Sequence, residues 1–212
     1  MFIPRQPVIE NQFCKYASQT GTGSEGVGGV IAYAGSVLYL KSDATNEESE
    51  VLRYNTFTEY DALDALATER TPFGVSMQKV KTGYHQVHPT GFMLPGDLGS
   101  SDVIAQAMYD VNGAITGTKE VPVGVAHSGI WDTCHYTVET GAKVAPGDNL
   151  YVAANAEGRM TNSITTATDN TNDGKRISAD IVARVQKGVS AGKAAANVAN
   201  TVLYPIRIKL MI

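Results

Sequence analysis

Charge is scarce in this 212-residue chain: Asp, Glu, Lys and Arg make up 18% of it, against about 25% in an average soluble domain. Its 43% hydrophobic content supplies a sizeable core and marks a globular rather than a disordered chain, and the thin charge together with 21 glycines suggests an all-β one. Cysteine is nearly absent. Cys14 and Cys134 lie far apart in no CxxC spacing, which indicates neither a disulfide framework nor a zinc knuckle, and they read as two free thiols. No apolar run approaches the roughly 18 residues that cross a bilayer; the longest, Val30 to Leu40, is broken by Gly35 and Ser36. The opening MFIPRQPVIENQF has neither a basic leader nor an apolar signal core, so the expectation is a chain with no membrane partner, kept in the cytosol or in an assembly formed there. A positive excess is also missing. Seventeen Lys and Arg face 21 Asp and Glu, for a net charge of −4, which removes the global footprint of a nucleic-acid coat and leaves room only for a local basic patch.

Residues that carry chemistry are equally sparse. His85 and His88 are three apart, which on a strand points them to opposite faces, and no His-x-His supports a metal site in a barrel. Cys134 and His135 are adjacent and also face opposite ways if Ile130 to Glu139 is one strand, so a Cys–His nucleophilic couple is not expected there. The run GTGSEGVGG lacks the Lys-Ser or Lys-Thr that closes a phosphate loop, and no strand precedes it. The sole tryptophan, Trp131 beside Asp132, suits a core position better than a sugar platform. The reading is a protein without catalytic residues, metal or cofactor.

What the chain does contain is punctuation and alternation. With 21 glycines and eight prolines, it is cut into short segments rich in β-branched and aromatic residues: GVIAYAG, SVLYLK, PFGVSMQKV, VPVGVAHSG, IWDTCHYTVE, NLYVAA, ADIVARVQ and VLYPIRIKLMI. In the last, Val202, Tyr204, Ile206, Ile208, Leu210 and Ile212 share one face, as in a strand with one side in the core, and Pro205 favours an edge or a bulge. Residues 100 to 111 alternate as a strand before Asn112-Gly113, a hairpin signal, and are read as one, although Ile104, Ala107 and Met108 also fit a helix. Thr58 to Arg70 places Tyr60, Leu63, Leu66 and Ala67 at helical spacing and predicts one short helix over 58–70. Pro-Gly-Asp recurs at 95–97 and 146–148, a type II turn signal.

Residues 1–29 hold apolar anchors before the glycine-rich run and read as an extended N-terminal arm with a flexible joint; the alternative is a first strand packed on the chain's own core. Phe2, Ile3, Phe13 and Tyr16 are the candidate interface residues of that arm. Residues 30–212 then form the β-rich barrel domain, with long loops at 41–55, 161–178 and 188–201.

The order VPVGVAHSGIWD, YTVETGAKVAPGDNLYVAANAEGRMT and IVARVQKGVSAGKAAANVANTVLYPIRIKL resembles the capsid cement, or head decoration, proteins of tailed bacteriophages. Pro122 to Ala126, Gly147-Asp148, Leu150, Gly158, Ala183 to Val185 and Ile206 to Leu210 occupy the places of that family's pattern, over residues 120 to 212. The resemblance implies a mainly β fold with a β-barrel or tulip-like domain. It implies a homotrimer on the outer surface of a phage head, with the major capsid protein as partner and no nucleic acid or membrane partner. The first 120 residues exceed what a minimal cement protein needs and leave a tail tube or baseplate role open. A small β-barrel hydrolase or a carbohydrate-binding module are the alternatives of another class.

Overall fold

The structure is a computed structural model that describes residues 2–5, 11–16, 19–20, 30–40, 50–54, 71–83, 103–112, 115–118, 120–153, 157–163 and 181–212. In chain order its strands are β1 (Phe2–Pro4), β2 (Asn11–Tyr16), β3 (Gln19–Thr20), β4 (Val30–Ala32), β5 (Val37–Leu40), β6 (Glu50–Arg53), β7 (Pro72–Ser76), β8 (Val80–Gly83) and β9 (Val103–Tyr109). They continue as β10 (Ile115–Thr118), β11 (Val121–Ala126), β12 (Ile130–Thr133), β13 (Tyr136–Thr137), β14 (Asn149–Val152), β15 (Met160–Thr161), β16 (Ala183–Lys187) and β17 (Ile206–Leu210). The one helix among the described residues, α1, is Ala191–Val198.

The fold is mainly β and contains a closed barrel, as expected. Strands β11, β2, β6, β5 and β7 pair in a ring, so the barrel has no free edge. A curled seven-stranded sheet runs β1-β12-β17-β16-β14-β15-β13, and a five-stranded sheet runs β3-β10-β9-β8-β4. The barrel strands span residues 11–126, while the segment that resembles the cement proteins builds β11 and most of the seven-stranded sheet.

Alternation along β5 shows how the layers are joined. Val37 and Tyr39 enter a core shared with the seven-stranded sheet, where Trp131, Leu150, Met160, Ile206 and Ile208 are buried. Leu38, between them, faces a second core made by Cys14, Tyr16, Val51, Val123 and Val125 with Ile31 and Val80. A strand buried on both faces suits the unbroken apolar run VLYL. β17 keeps the predicted face, with Ile206, Ile208 and Leu210 buried and Lys209 exposed. It is central rather than at an edge, and Pro205 sits just before its first residue, where no ladder bond is lost. The Ala145-Pro146-Gly147-Asp148 turn also forms as expected: Asp148 N–H donates to the Ala145 carbonyl, and Gly147 takes φ +92°, the left-handed value a type II turn requires.

Several expectations are corrected. The described parts of residues 1–29 are not an arm ahead of the barrel: β1 pairs with β12, and β2 lies between β11 and β6 inside the barrel ring, while the glycine-rich joint over 21–29 lies outside the described residues. The boundary at 29/30 therefore cuts through the barrel, because apolar anchors at Phe2, Cys14 and Tyr16 find partners far along the same chain. The expected 188–201 loop contains α1, since its Ala-rich sequence AGKAAANV has strong helix propensity that outweighs Gly192. Within 41–55, Glu50–Arg53 is strand β6, and Thr161 closes β15 at the start of the 161–178 segment. The helix over 58–70, residues 41–49, 55 and 164–178 of those two loops, and the turn at 95–97 lie outside the described residues.

Candidate functional site

The four anchor residues come apart in the structure. Phe2 is buried and stacks on Trp131 with ring centroids 4.3 Å apart and planes 8° from parallel. Tyr16 is buried; its hydroxyl donates to the Ile31 carbonyl at 3.2 Å and accepts the Arg53 N–H at 3.4 Å. Ile3 is half-buried, and only Phe13, 81% exposed on β2, is available to a partner. Trp131 is removed as a sugar platform: it is buried, and its indole N–H donates to the Ser128 carbonyl at 2.9 Å. The β1–Trp131 contact pairs residues 129 positions apart, and no local pattern announces it.

The Ile130 to Glu139 segment is two strands rather than one, with Cys134 and His135 at the corner between β12 and β13. His135 meets Ser36 there, Nε2 to Oγ at 3.1 Å, in what looks at first like a nucleophile and its base. Hydrogen-bond bookkeeping says otherwise. Nε2 also faces the Glu157 carbonyl at 3.1 Å, which only accepts, so Nε2 carries the proton and is no base. The Ser36 hydroxyl donates to that same carbonyl at 3.0 Å and accepts the Tyr33 N–H at 3.1 Å. Burial pushes the His135 pKa down to about 3, which keeps the ring neutral. Burial likewise raises the Cys134 thiol above its ordinary value, so it is not a ready nucleophile. This cluster clamps the Tyr33–Ser36 turn to the Glu157–Gly158 turn, and the sequence did not signal it because its members lie about 100 residues apart.

His127 donates from Nδ1 to the Phe73 carbonyl at 2.8 Å and sits edge-on to the Phe73 ring. His85 and His88 lie outside the described residues, and among those described no three His, Cys, Asp or Glu side chains gather into a metal-binding group. Both cysteines are free and buried.

The surface with a defined character is the outer face of the seven-stranded sheet. Cross-strand register places Ile3 opposite Asp132, Asp132 opposite Arg207, and Arg207 opposite Lys187. One step along, Ile130 is opposite Lys209, Lys209 opposite Arg184, and Arg184 opposite Asn149. Asp132 is the anchor of this face: it accepts from Arg5 Nε at 2.6 Å and Arg207 Nε at 2.9 Å. Burial pushes its carboxyl up, but the hydrogen bonds and charges of Arg207 and Arg5 outweigh that and hold it below the usual carboxylate value.

Next to the sheet, α1 is held by Asn197, whose Nδ2 donates to the Cys134 carbonyl at 2.9 Å and whose Oδ1 accepts the Tyr204 N–H at 3.1 Å. Gly188 lies so close to the Val144 carbonyl that no side chain fits there. No protein-family model matches the chain, and no curated protein matches it in sequence.

Proposed function

We propose that this chain is a structural virion protein, a capsid cement or decoration protein. In this reading it binds the outer surface of a phage head, as a homotrimer assembled in the host cytoplasm, and stabilises the shell by bridging neighbouring copies of the major capsid protein. The observation that carries the reading is the motif order over residues 120–212, whose matching positions fall at structural key points. Pro122 to Ala126 form most of β11, Gly147-Asp148 and Leu150 form a turn and its following strand, and Ala183 to Val185 and Ile206 to Leu210 form two paired central strands. The described part offers a rigid scaffold, a closed barrel joined through one core to a curled sheet, which suits a role exercised through surface contact rather than through chemistry.

The mechanism is added contact area. A specific interface buries about 1,200 to 2,000 Å², and repeating it over a shell resists internal pressure at every junction. The test is to mix the purified chain with expanded heads lacking decoration and measure co-sedimentation and heat protection. Saturable binding in fixed ratio to the major capsid protein, with later release of DNA on heating, is expected. Binding to purified tails but not to heads would replace this role with the tail or baseplate one; binding to neither would refute both.

A further inference from the structure

Strand pairing gathers five basic side chains, Arg5, Arg184, Lys187, Arg207 and Lys209, on the outer face of the seven-stranded sheet around one carboxylate, Asp132. Asp132 is shared by Arg5 and Arg207, and Arg184 Nε donates to the Asn149 side-chain oxygen at 3.2 Å. Arg184, Lys187 and Lys209 are exposed, and among the described residues Lys187 and Lys209 make no ion pair.

Two features of this face work against the sheet that carries it. Lys209 lies opposite Arg184 and Lys187 opposite Arg207, and like charges directly opposite one another disfavour strand pairing. The second of these pairs exists only because the register of β16 shifts between Val185 and Lys187. Without that bulge Lys187 would follow Ala183 and Val185 to the core side, and the uncharged Gln186 would face Arg207. Both features concentrate positive charge at one place, and neither serves the fold of the isolated chain.

Charge complementarity identifies what such a face suits. The net charge of −4 leaves room only for a local basic patch, and this is one: five cations against one carboxylate. Acidic groups elsewhere on the chain are screened beyond about 8 Å at physiological salt, so an anion docked on the sheet meets the patch and not the total. A nucleic-acid duplex carries a phosphate about every 3.4 Å along each strand, so acceptors stand wherever the cations of β16 and β17 fall. The other positions directly opposite those cations are Ile130, Asp132 and Asn149, with no aromatic ring among them, so the unstacked bases of a single strand would find no platform. A lipid surface favours apolar side chains that insert beside the charges, and Ile3 and Ile130 are half-buried.

We propose that the basic outer face of the seven-stranded sheet binds duplex nucleic acid through its phosphate backbone, without reading base sequence. Contacts from Lys and Arg to phosphate oxygens fix position and carry no sequence information. The inference departs from the expectation of no nucleic-acid partner, which rested on the resemblance and on the charge of the whole chain, and it is independent of what the protein binds on a phage head.

The test is fluorescence anisotropy of the full chain with a short labelled DNA duplex of mixed sequence. The wild type should bind at about 50 mM NaCl with a dissociation constant of about 10⁻⁴ to 10⁻⁶ M, and the logarithm of its affinity should fall against that of salt with a slope between about −2 and −4. The Lys187→Glu, Lys209→Glu double variant turns both like-charged pairs into opposite-charged ones. It should therefore melt at or above the wild-type temperature, while binding the duplex on the order of tenfold or more weakly and with a slope shallower by about 2. Should that variant fold poorly, Lys187→Ser with Lys209→Ser removes the same cations without reversing charge. Lys15→Glu with Lys193→Glu changes the net charge equally on β2 and α1, and should bind within about twofold of the wild type. A wild type that does not bind the duplex at low salt overturns the inference and leaves the cement reading standing. Duplex binding that is indifferent to the sheet variants, or that the β2 and α1 pair weakens as much as they do, overturns it as well. Binding to phosphatidylglycerol vesicles with none to the duplex overturns it and assigns the face to a lipid surface.

Discussion

Shortening Phe2 to alanine tests whether the N-terminus belongs to the body of the protein. Phe2 is buried, it lies flat against Trp131 at 4.3 Å, and β1 is held next to it by the Arg5–Asp132 ion pair. A Phe→Ala change in a core costs about 3 to 5 kcal/mol, which includes the cavity it leaves. Here the lower end applies, because β1 is a three-residue edge strand that can detach, which caps the loss at its own docking free energy. A loss of about 3 kcal/mol corresponds to a fall of roughly 6 to 12 °C in melting temperature for a chain of this size. The assay is built in: Trp131 is the only tryptophan, and equilibrium urea unfolding followed by its fluorescence reports the contact directly, including a red-shifted native baseline in Phe2→Ala if β1 leaves the ring exposed. Phe13→Ala is the matched control, because Phe13 is 81% exposed and surface changes stay within about 0.5 kcal/mol. Equal midpoints for the two variants would refute the placement of β1, and a folded product after deletion of residues 1–16 would refute β2 as a barrel strand.

Acid should destabilise the fold before its carboxylates protonate. The His135 pKa is depressed to about 3 in the folded state and is near 6.5 when unfolded, so the unfolded chain binds the extra proton and stability falls as pH drops below about 6, at up to about 1.4 kcal/mol per unit; pH-dependent denaturation of the wild type and His135→Asn should show that slope only in the former. Asp132→Asn should cost about 2 kcal/mol at pH 7, a value discounted because Arg5 and Arg207 are partly exposed. The folded-state pKa of Asp132 is lowered, so its contribution is present above the unfolded value near 3.9 and is lost as pH falls through the folded one, which makes the variant and the wild type converge in strong acid. Gly188→Ala drives a methyl group into the Val144 carbonyl; calorimetry should find a loss of about 1 to 3 kcal/mol or local opening of the Val144–Val189 bridge.

Strand content, the type II turn at 145–148 and the buried face of β17 were legible in the sequence by itself, because each depends on neighbours two or three residues apart. Alternation reflects the pleat of a strand, and Pro-Gly presets the dihedral angles of a turn. The alanines of α1 were legible in principle too, and were masked by the Gly and Asn around them. Phe2 and Phe13 look alike in sequence, two aromatic residues in β-prone segments, yet one lies in a core and the other in solvent. The difference is decided by which strand each pairs with and by the register of that pairing, Phe2 with Thr133 and Phe13 with Gly124. The buried Ser36–His135 cluster and the basic sheet face arise in the same way. Residues 5, 132, 184, 187, 207 and 209 belong to one surface only once β1, β12, β17 and β16 lie side by side, and a one-residue slip in any of those pairings would send a strand's charges to the core side.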